Sequence, residues 1–172
     1  VLLAAGLVLN TRLAEDAVLT CADGILTDNA TRTSDPSVLA AGDVARFHSG
    51  LYGRSIRLES VQNAIEQGKA AAATICGDTV HYDPVPWFWS DQYEIKLQIA
   101  GLIEGADEIV RRGDPELGNF AVFHMKEGRI IACEAVNAAP EYMAAQKLIA
   151  ARREVDPQAL RNLDVAMREF LA

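Results

Sequence analysis

The dipeptide Gly42-Asp43 is the feature of this 172-residue chain that is best suited to contact a ligand. It follows the apolar run 38–41, which is typical of a buried strand. Open α/β sheets bind ligands at the carboxyl ends of their strands. Gly42 would permit close backbone approach there, and the Asp43 carboxylate would accept hydrogen bonds from sugar or ribityl hydroxyls. The alternative is a simple turn, because Gly-Asp is common in turns.

Histidine and cysteine residues form no recognisable metal or dithiol motif. His48 and His81 lack partners at ligand spacing, so we expect no metal site. Cys21, Cys76 and Cys133 are widely spaced, which is typical of reduced thiols in a cytoplasmic protein. We assign no catalytic side chain.

Composition and charge exclude several classes of function. Half of the residues are apolar and the net charge is −8, which predicts a folded soluble protein. An acidic chain is a poor match for nucleic acid, and the apolar run 1–10 is too short to cross a membrane. Four basic residues nevertheless cluster in sequence, and they indicate either a docking surface or an ordinary solvated face: Arg46, Arg54, Arg57 and Lys69.

The first half of the chain follows an α/β pattern. We expect buried strands over residues 1–10, 24–28 and 38–43, a loop over 46–57, and a helix from Glu59 to about Cys76. The apolar stripe of that helix is predicted from three- and four-residue spacing to contain Val61, Ala64, Ile65, Gly68, Ala72 and Ile75. A buried strand at the start of the sequence would need neighbours, so we expect the chain to be part of a longer protein.

The second half predicts an antiparallel sheet with helices packed on it. Strands are expected at 93–99, 108–111, 119–125 and 129–136, with a hairpin turn at 126–128. Pro140 should open a helix that buries Met143, and a terminal helix is expected over 156–171. The fold class is therefore α/β followed by α+β, with units 1–82 and 83–172.

Longer motifs resemble one family of flavoproteins. Residues 35–43 resemble the second flavin-contacting motif of FAD-dependent pyridine-nucleotide reductases. The segments 51–64 and 85–93, the latter containing Trp-Phe-Trp-Ser-Asp-Gln-Tyr, resemble the ferredoxin reductases of oxygenase electron-transfer chains. The similarity extends over essentially the whole chain, including residues 112–114 and 135–137.

The resemblance implies a cofactor and a set of contacts. Members take a hydride from NADH onto FAD and pass single electrons to a [2Fe-2S] ferredoxin. Gly42 and Asp43 match the strand end that meets the ribityl and phosphate region, Val61 matches a position whose backbone approaches the flavin pyrimidine edge, and Trp89 matches an aromatic near the isoalloxazine. Residues 1–82 would then be a remnant of an FAD-binding, Rossmann-like domain and 83–172 a C-terminal reductase domain.

The resemblance also leaves two readings of the chain. Arg46, Arg54, Arg57 and Lys69 would face the ferredoxin, although Lys69 replaces a family arginine and lacks its bidentate geometry. No G-x-G-x-x-G turn is present, so the sites for NADH and the FAD pyrophosphate should lie upstream, and this portion alone should be inactive. The alternative is a non-catalytic dimerisation or interaction module.

Overall fold

The computed structural model describes residues 1–3 and 5–171. The chain forms two compact units, Val1–Asp83 and Pro84–Ala172. None of the helices in the described ranges has the length and apolar character needed to cross a bilayer.

The first unit contains a small mixed sheet and one long helix. Strand β1 runs parallel to β2, and β2 pairs antiparallel with β3. The elements, with the 3-10 turn that precedes β2, are α1 (Arg12–Asp16), β1 (Ile25–Thr27), the turn Gly42–Val44, β2 (Ala45–Ser49), β3 (Arg54–Arg57) and α2 (Val61–Ile75). The strand predicted near residue 25 and the helix predicted from residue 59 are therefore confirmed.

The prediction of a strand over 38–43 and a loop over 46–57 was wrong. In 38–43 only Leu39 makes a β-bridge, with Arg32, and Gly42 has a φ of +81°, which interrupts extended backbone. The strand begins after the turn, where alternate side chains of Ala45–Ser49 are buried. Arg54–Arg57 returns beside it as a hairpin. The Gly42-Asp43 dipeptide therefore precedes a strand instead of ending one.

The apolar segment 1–10 was predicted to be a buried strand, and this is wrong for the residues that can be described. Residues 1–3 and 5–10 have no strand structure and most of their side chains are exposed, including those of Leu2 and Val8. Ala4 lies outside the described residues. An apolar run becomes a strand only where a neighbouring strand completes its hydrogen bonds, and β1–β3 do not pair with this segment.

Helix α2 buries a different face from the one that its apolar spacing predicts. Its buried side chains are polar, while members of the expected apolar stripe, among them Val61, Ile65 and Ile75, are exposed. The buried set is Gln62, Asn63, Gln67 and Thr74. Each of these makes a side-chain hydrogen bond, so hydrogen bonding and not apolar burial fixes the rotation of this helix.

The second unit is the predicted antiparallel sheet with helices on it. The strand order is β4-β5-β8-β7-β6. Its elements are β4 (Trp87–Gln92), β5 (Ile95–Gly101), β6 (Glu108–Asp114), β7 (Asn119–Lys126), β8 (Arg129–Val136), α3 (Ala139–Ala151), α4 (Pro157–Arg161) and the 3-10 segment Met167–Leu171. Strand β4 was not predicted from the sequence, whereas the other four strands were. Glu127 and Gly128, both with positive φ, form the expected tight turn between β7 and β8.

Helix α3 and the chain end depart from prediction in two places. Met143 was predicted to be buried but is 58% exposed, whereas Tyr142, Ala144 and Leu148 on the same helix are buried. The terminal helix is short: the Asp156 side chain caps α4 as expected, but the helix ends at Arg161. Asn162 has β-region backbone angles, so helical geometry stops there.

One buried guanidinium holds the end of the second unit. Arg112 on β6 is 4% exposed. Its Nη1 donates to the carbonyls of Leu160 and Asn162 at 3.0 and 2.6 Å, and its Nη2 donates to that of Val165 at 2.8 Å. Its Nε lies 3.3 Å from a carboxylate oxygen of Glu141. Arg112 therefore satisfies one carbonyl in the last turn of α4 and two carbonyls in the segment that follows it.

We predict that Arg112→Met destabilises the second unit by about 3–5 kcal/mol, because it leaves the Glu141 carboxylate and three carbonyls without their donor. Urea unfolding followed by tryptophan fluorescence measures this, since both tryptophans, Trp87 and Trp89, lie in this unit. Arg161→Met is the control. It removes an exposed ion pair with Glu108 and should cost less than about 1 kcal/mol. Equal effects of the two substitutions would contradict the role given to Arg112.

Candidate functional site

The Gly42–Val44 turn places an exposed carboxylate beside helix α2. A Cβ built on Gly42 would lie 3.8 Å from the Ala64 Cβ, which is ordinary contact, so space alone does not require glycine here. The positive φ does require it. The Asp43 side chain is exposed and, among the described residues, no hydrogen bond or ion pair engages its carboxylate. It is thus available to accept hydrogen bonds.

The amino end of α2 lies next to this turn. Ser60 caps the helix by accepting a 3.1 Å hydrogen bond from the Asn63 N–H. The first turn contains no acidic residue, and Val61, its first residue, has a side chain that is 56% exposed. Aligned peptide dipoles give this end a partial positive charge, which favours anionic groups. A Cβ at Gly42 would be in contact with Ala64 in the first turns of α2, so the structure brings Gly42, Asp43 and Val61 to one region of the first unit.

A chain of buried amide groups links the turn to the interior. The Gly42 N–H donates to Gln67 Oε1 at 2.8 Å, and Asn63 Nδ2 donates to the same oxygen at 3.4 Å. Asn63 Nδ2 also donates to the Leu58 carbonyl at 3.0 Å, while Asn63 Oδ1 accepts from the Tyr82 hydroxyl at 2.9 Å. The sequence analysis missed this network, although the i, i+4 spacing of Asn63 and Gln67 was a signal that they share a helix face.

Tyr82 closes the network at its inner end. Its ring packs edge-on against Phe47, with centroids 5.1 Å apart. Burial raises the pKa of the Tyr82 phenol well above its ordinary value, and the negative charges of Glu66 and Asp83 add to the effect. The phenol therefore stays protonated and can donate to Asn63.

The basic residues expected to face a partner are partly engaged within the chain. Arg46 Nη1 lies 2.6 Å from a carboxylate oxygen of Asp23. Arg57 lies 3.4 Å from the other oxygen of Asp23 and 2.8 Å from Glu59, and it donates to the Asp43 carbonyl at 3.0 Å. Burial works to lower the pKa of Arg57, but Glu59 and Asp23 outweigh it and the pKa is raised.

The other two basic residues occupy separate elements. Arg54 lies on β3 opposite Ser49, and Lys69 is exposed on α2. The structure therefore brings Arg46 and Arg57 together across β2 and β3, where they are paired in register, but two carboxylates accompany them. Among the residues that the structure describes, no group of three or more His, Cys, Asp or Glu is arranged to hold a metal.

Trp89 belongs to the second unit and lies on its edge strand, β4. Its indole is 47% exposed and its ring centroid is 5.4 Å from that of Trp87, the planes inclined by 35°. Trp87 and Trp89 are two residues apart on one strand, so both point to the same face of the sheet. The pair presents an aromatic surface at the sheet edge.

Two family models match the chain. Residues 1–68 match the pyridine nucleotide-disulphide oxidoreductase family, and residues 87–171 match the reductase C-terminal family. Together with the relatives described next, these matches confirm the resemblance to the ferredoxin reductases and the predicted fold class.

Individual relatives sharpen this identification. The chain is 42% identical over 167 residues to putidaredoxin reductase of Pseudomonas putida, which covers 97% of this chain and 40% of that protein, and 40% identical to rhodocoxin reductase of Rhodococcus erythropolis, over 97% and 39%. The structure of the covalent putidaredoxin reductase–putidaredoxin complex matches with a TM-score of 0.92 at 42% identity, over 96% of this chain and 40% of that one. The chain thus spans about 40% of the length of these relatives.

We predict that Tyr82 makes the stability of the first unit fall at high pH. An acid whose pKa is raised by folding contributes stability that is complete below its unfolded pKa, near 10, and is lost as the pH rises through the folded value. Tyr82→Phe should therefore flatten the stability profile above pH 10. Tyr93→Phe, which alters a fully exposed ring, should leave the profile unchanged. Urea midpoints between pH 8 and 11 measure both, and parallel profiles for wild type and Tyr82→Phe would refute the prediction.

Proposed function

We propose that this chain is part of a cytoplasmic flavoprotein reductase that passes electrons from NADH through FAD to a [2Fe-2S] ferredoxin serving an oxygenase. The observation that carries the proposal is the match to putidaredoxin reductase over nearly the whole chain, in sequence and in structure. Oxygenase systems recur among the relatives, for example the anthranilate 1,2-dioxygenase ferredoxin–NAD(+) reductase component of Burkholderia cepacia at 42% identity. Three free cysteines support a reducing compartment.

The residues of the first unit fit one side of a site for FAD. An exposed, unengaged carboxylate at Asp43 suits hydroxyl donors, and the Gly42 turn carries it close to the amino end of a 15-residue helix. That end has no acidic residue in its first turn, which suits a negatively charged ring edge. FAD supplies the conversion of one two-electron transfer into two single-electron transfers.

Each residue then has a defined task in binding. Asp43 accepts hydrogen bonds from ribityl hydroxyls, and the backbone at Val61 faces the pyrimidine edge. The positive end of α2 favours the anionic reduced form. Trp89 offers an apolar aromatic surface suited to exclude water from an isoalloxazine. These residues bind and orient, and none of them transfers a proton.

The ferredoxin surface on this chain is proposed to include Arg46, Arg54, Arg57 and Lys69. Acidic ferredoxins associate faster with a basic surface. Asp23 and Glu59 neutralise much of the charge of Arg46 and Arg57, so Lys69 should carry a larger share of the steering. NADH and the FAD pyrophosphate are proposed to bind outside residues 1–172, because the chain has no Gly-rich fingerprint. Turnover by this portion alone should be negligible.

A second candidate is a non-catalytic dimerisation or interaction module. Exposed apolar side chains on the first unit, such as Val8, Ile65 and Ile75, favour it. Sedimentation of the chain decides between the two: a discrete, cofactor-free dimer supports the module, while a monomer or an aggregate does not.

We predict that Asp43→Asn in the complete natural protein weakens FAD binding about tenfold or more, because hydrogen bonds to a charged acceptor are each worth about 1.5–3 kcal/mol. Flavin fluorescence on titration of the apoprotein measures the dissociation constant. Asp78→Asn is the matched control, since Asp78 is exposed beyond the end of α2. A colourless parent protein that binds no flavin would sink the whole proposal, and equal affinities for the two variants would remove Asp43 from the site.

We predict that Lys69→Glu raises the KM for ferredoxin about three- to tenfold at low salt, because charge reversal opposes association with an acidic partner. The difference should shrink as salt is added. Lys147→Glu alters an exposed lysine on α3 by the same charge and should have no such effect. NADH-dependent ferredoxin reduction at several ionic strengths gives the measurement, and a salt-independent change would argue against a steering role.

A further inference from the structure

Gln67 occupies an unusual position for a polar side chain in this molecule. It is fully buried, lies almost two helical turns into α2, and directs its carbonyl oxygen to the Gly42 N–H at 2.8 Å. Its Nε2 has no hydrogen-bond partner among the described residues. Burying an amide whose nitrogen is unsatisfied costs free energy. We take the hydrogen bond to the Gln67 oxygen as the contact that offsets this cost.

That contact crosses from the helix to a turn that Arg57 also holds, by donating a 3.0 Å hydrogen bond to the Asp43 carbonyl. The Gly42–Val44 segment is a single 3-10 turn with no side-chain cap. A Cβ built on Gly42 would contact the small Ala64 side chain at 3.8 Å. The Gln67 oxygen is therefore the contact by which α2 holds the turn, while Arg57 holds it from β3, and both contacts bear on the position of the Asp43 carboxylate.

Gln67 is itself held by two residues behind it. Asn63 Nδ2 donates to Gln67 Oε1 and to the Leu58 carbonyl, which orients the Asn63 amide. The Tyr82 hydroxyl donates to Asn63 Oδ1. The backbone of Tyr82 exchanges two hydrogen bonds with Asn29, both at 2.8 Å. A line of defined donors and acceptors thus runs from Asn29 to the Gly42 N–H.

We propose that Gln67 is a positioning residue, backed by Asn63 and Tyr82, which holds the Gly42-Asp43 turn at a fixed distance from the amino end of α2 and so sets the geometry of the cofactor-facing edge. The proposal deepens the proposed function and rests on it. Gln67 acts through Gly42 and touches no cofactor. Catalysis and tight binding depend on sub-ångström placement. Loss of this acceptor should therefore make the Gly42-Asp43 turn more mobile without removing any group that contacts the ligand.

The test combines a local readout with a binding readout in the complete natural protein. Gln67→Met removes the acceptor at nearly constant volume. Thr74→Val is the control, since it removes a buried hydrogen bond from the same helix to the Ala30 carbonyl. We expect amide exchange at Gly42, measured by mass spectrometry, to quicken about tenfold or more in Gln67→Met. It should stay near the wild-type rate in Thr74→Val.

A double-mutant cycle separates positioning from general destabilisation. If Gln67 acts through Asp43, the loss of FAD affinity caused by Gln67→Met should be about tenfold in the wild-type background and nearly absent in Asp43→Asn. If Gln67→Met fails to fold, Tyr82→Phe, which deletes only the innermost hydroxyl, takes its place with a smaller expected change. An additive cycle, or unchanged exchange at Gly42, overturns the proposal.

The two readouts fail independently. A parent protein that binds no FAD, but in which Gly42 exchange responds as expected, would remove the proposed function and with it the cofactor-facing role of Gln67, leaving only an anchor for the turn. A flavin-binding parent with unchanged Gly42 exchange would retain the function and reject Gln67 as a positioning residue.

Discussion

The polar face that α2 turns inward is the constraint on which the first unit depends. Burying an amide group is costly unless it finds partners, and Asn63 and the Gln67 carbonyl oxygen find them in Leu58, Tyr82 and Gly42. These partners come from the segments before and after the helix and from the turn ahead of β2. The hydrogen bonds of this buried face therefore fix both the rotation of α2 and the position of the surrounding backbone. With the polar face buried, the apolar face of the helix is left exposed.

In the second unit, a single charged group provides the partners for buried polar backbone atoms. The last turn of α4 and the segment after it have carbonyls without helical partners, and the Arg112 guanidinium, supplied by β6, satisfies three of them. Its charge is balanced by Glu141 on α3. Sheet, helix and chain end are thus joined at one point, while the opposite edge of the sheet, β4, is left to present its aromatic pair.

The sequence predicted those parts of the fold that depend on local pattern. Strands β5 to β8, the Glu127-Gly128 turn and the Pro140 helix start all follow from alternation, turn chemistry and capping. Side-chain spacing alone does not show which face of a helix is buried. For α2 the apolar face was predicted to be buried, but the polar face is buried instead because its side chains are hydrogen-bonded. Strand β2 was missed because Arg46 and His48 made Ala45–Ser49 look like a loop, although Phe47 is buried between them. The importance of Gly42 was predictable, but its acceptor, Gln67, depends on a tertiary contact.

The net charge of the proposed ferredoxin surface depends on the ion pairs that its arginines form as well as on the number of basic residues. Arg46, Arg57, Asp23 and Glu59 together carry no net charge, and their contacts of 2.6 to 3.4 Å hold the guanidinium groups toward the chain's own carboxylates. A partner carboxylate would have to compete with these contacts, which are already desolvated on the arginine side. Long-range attraction to an acidic partner is therefore weaker than four basic residues suggest. Because electrostatic steering mainly sets the association rate, the lifetime of a complex would depend more on apolar contacts than on these arginines.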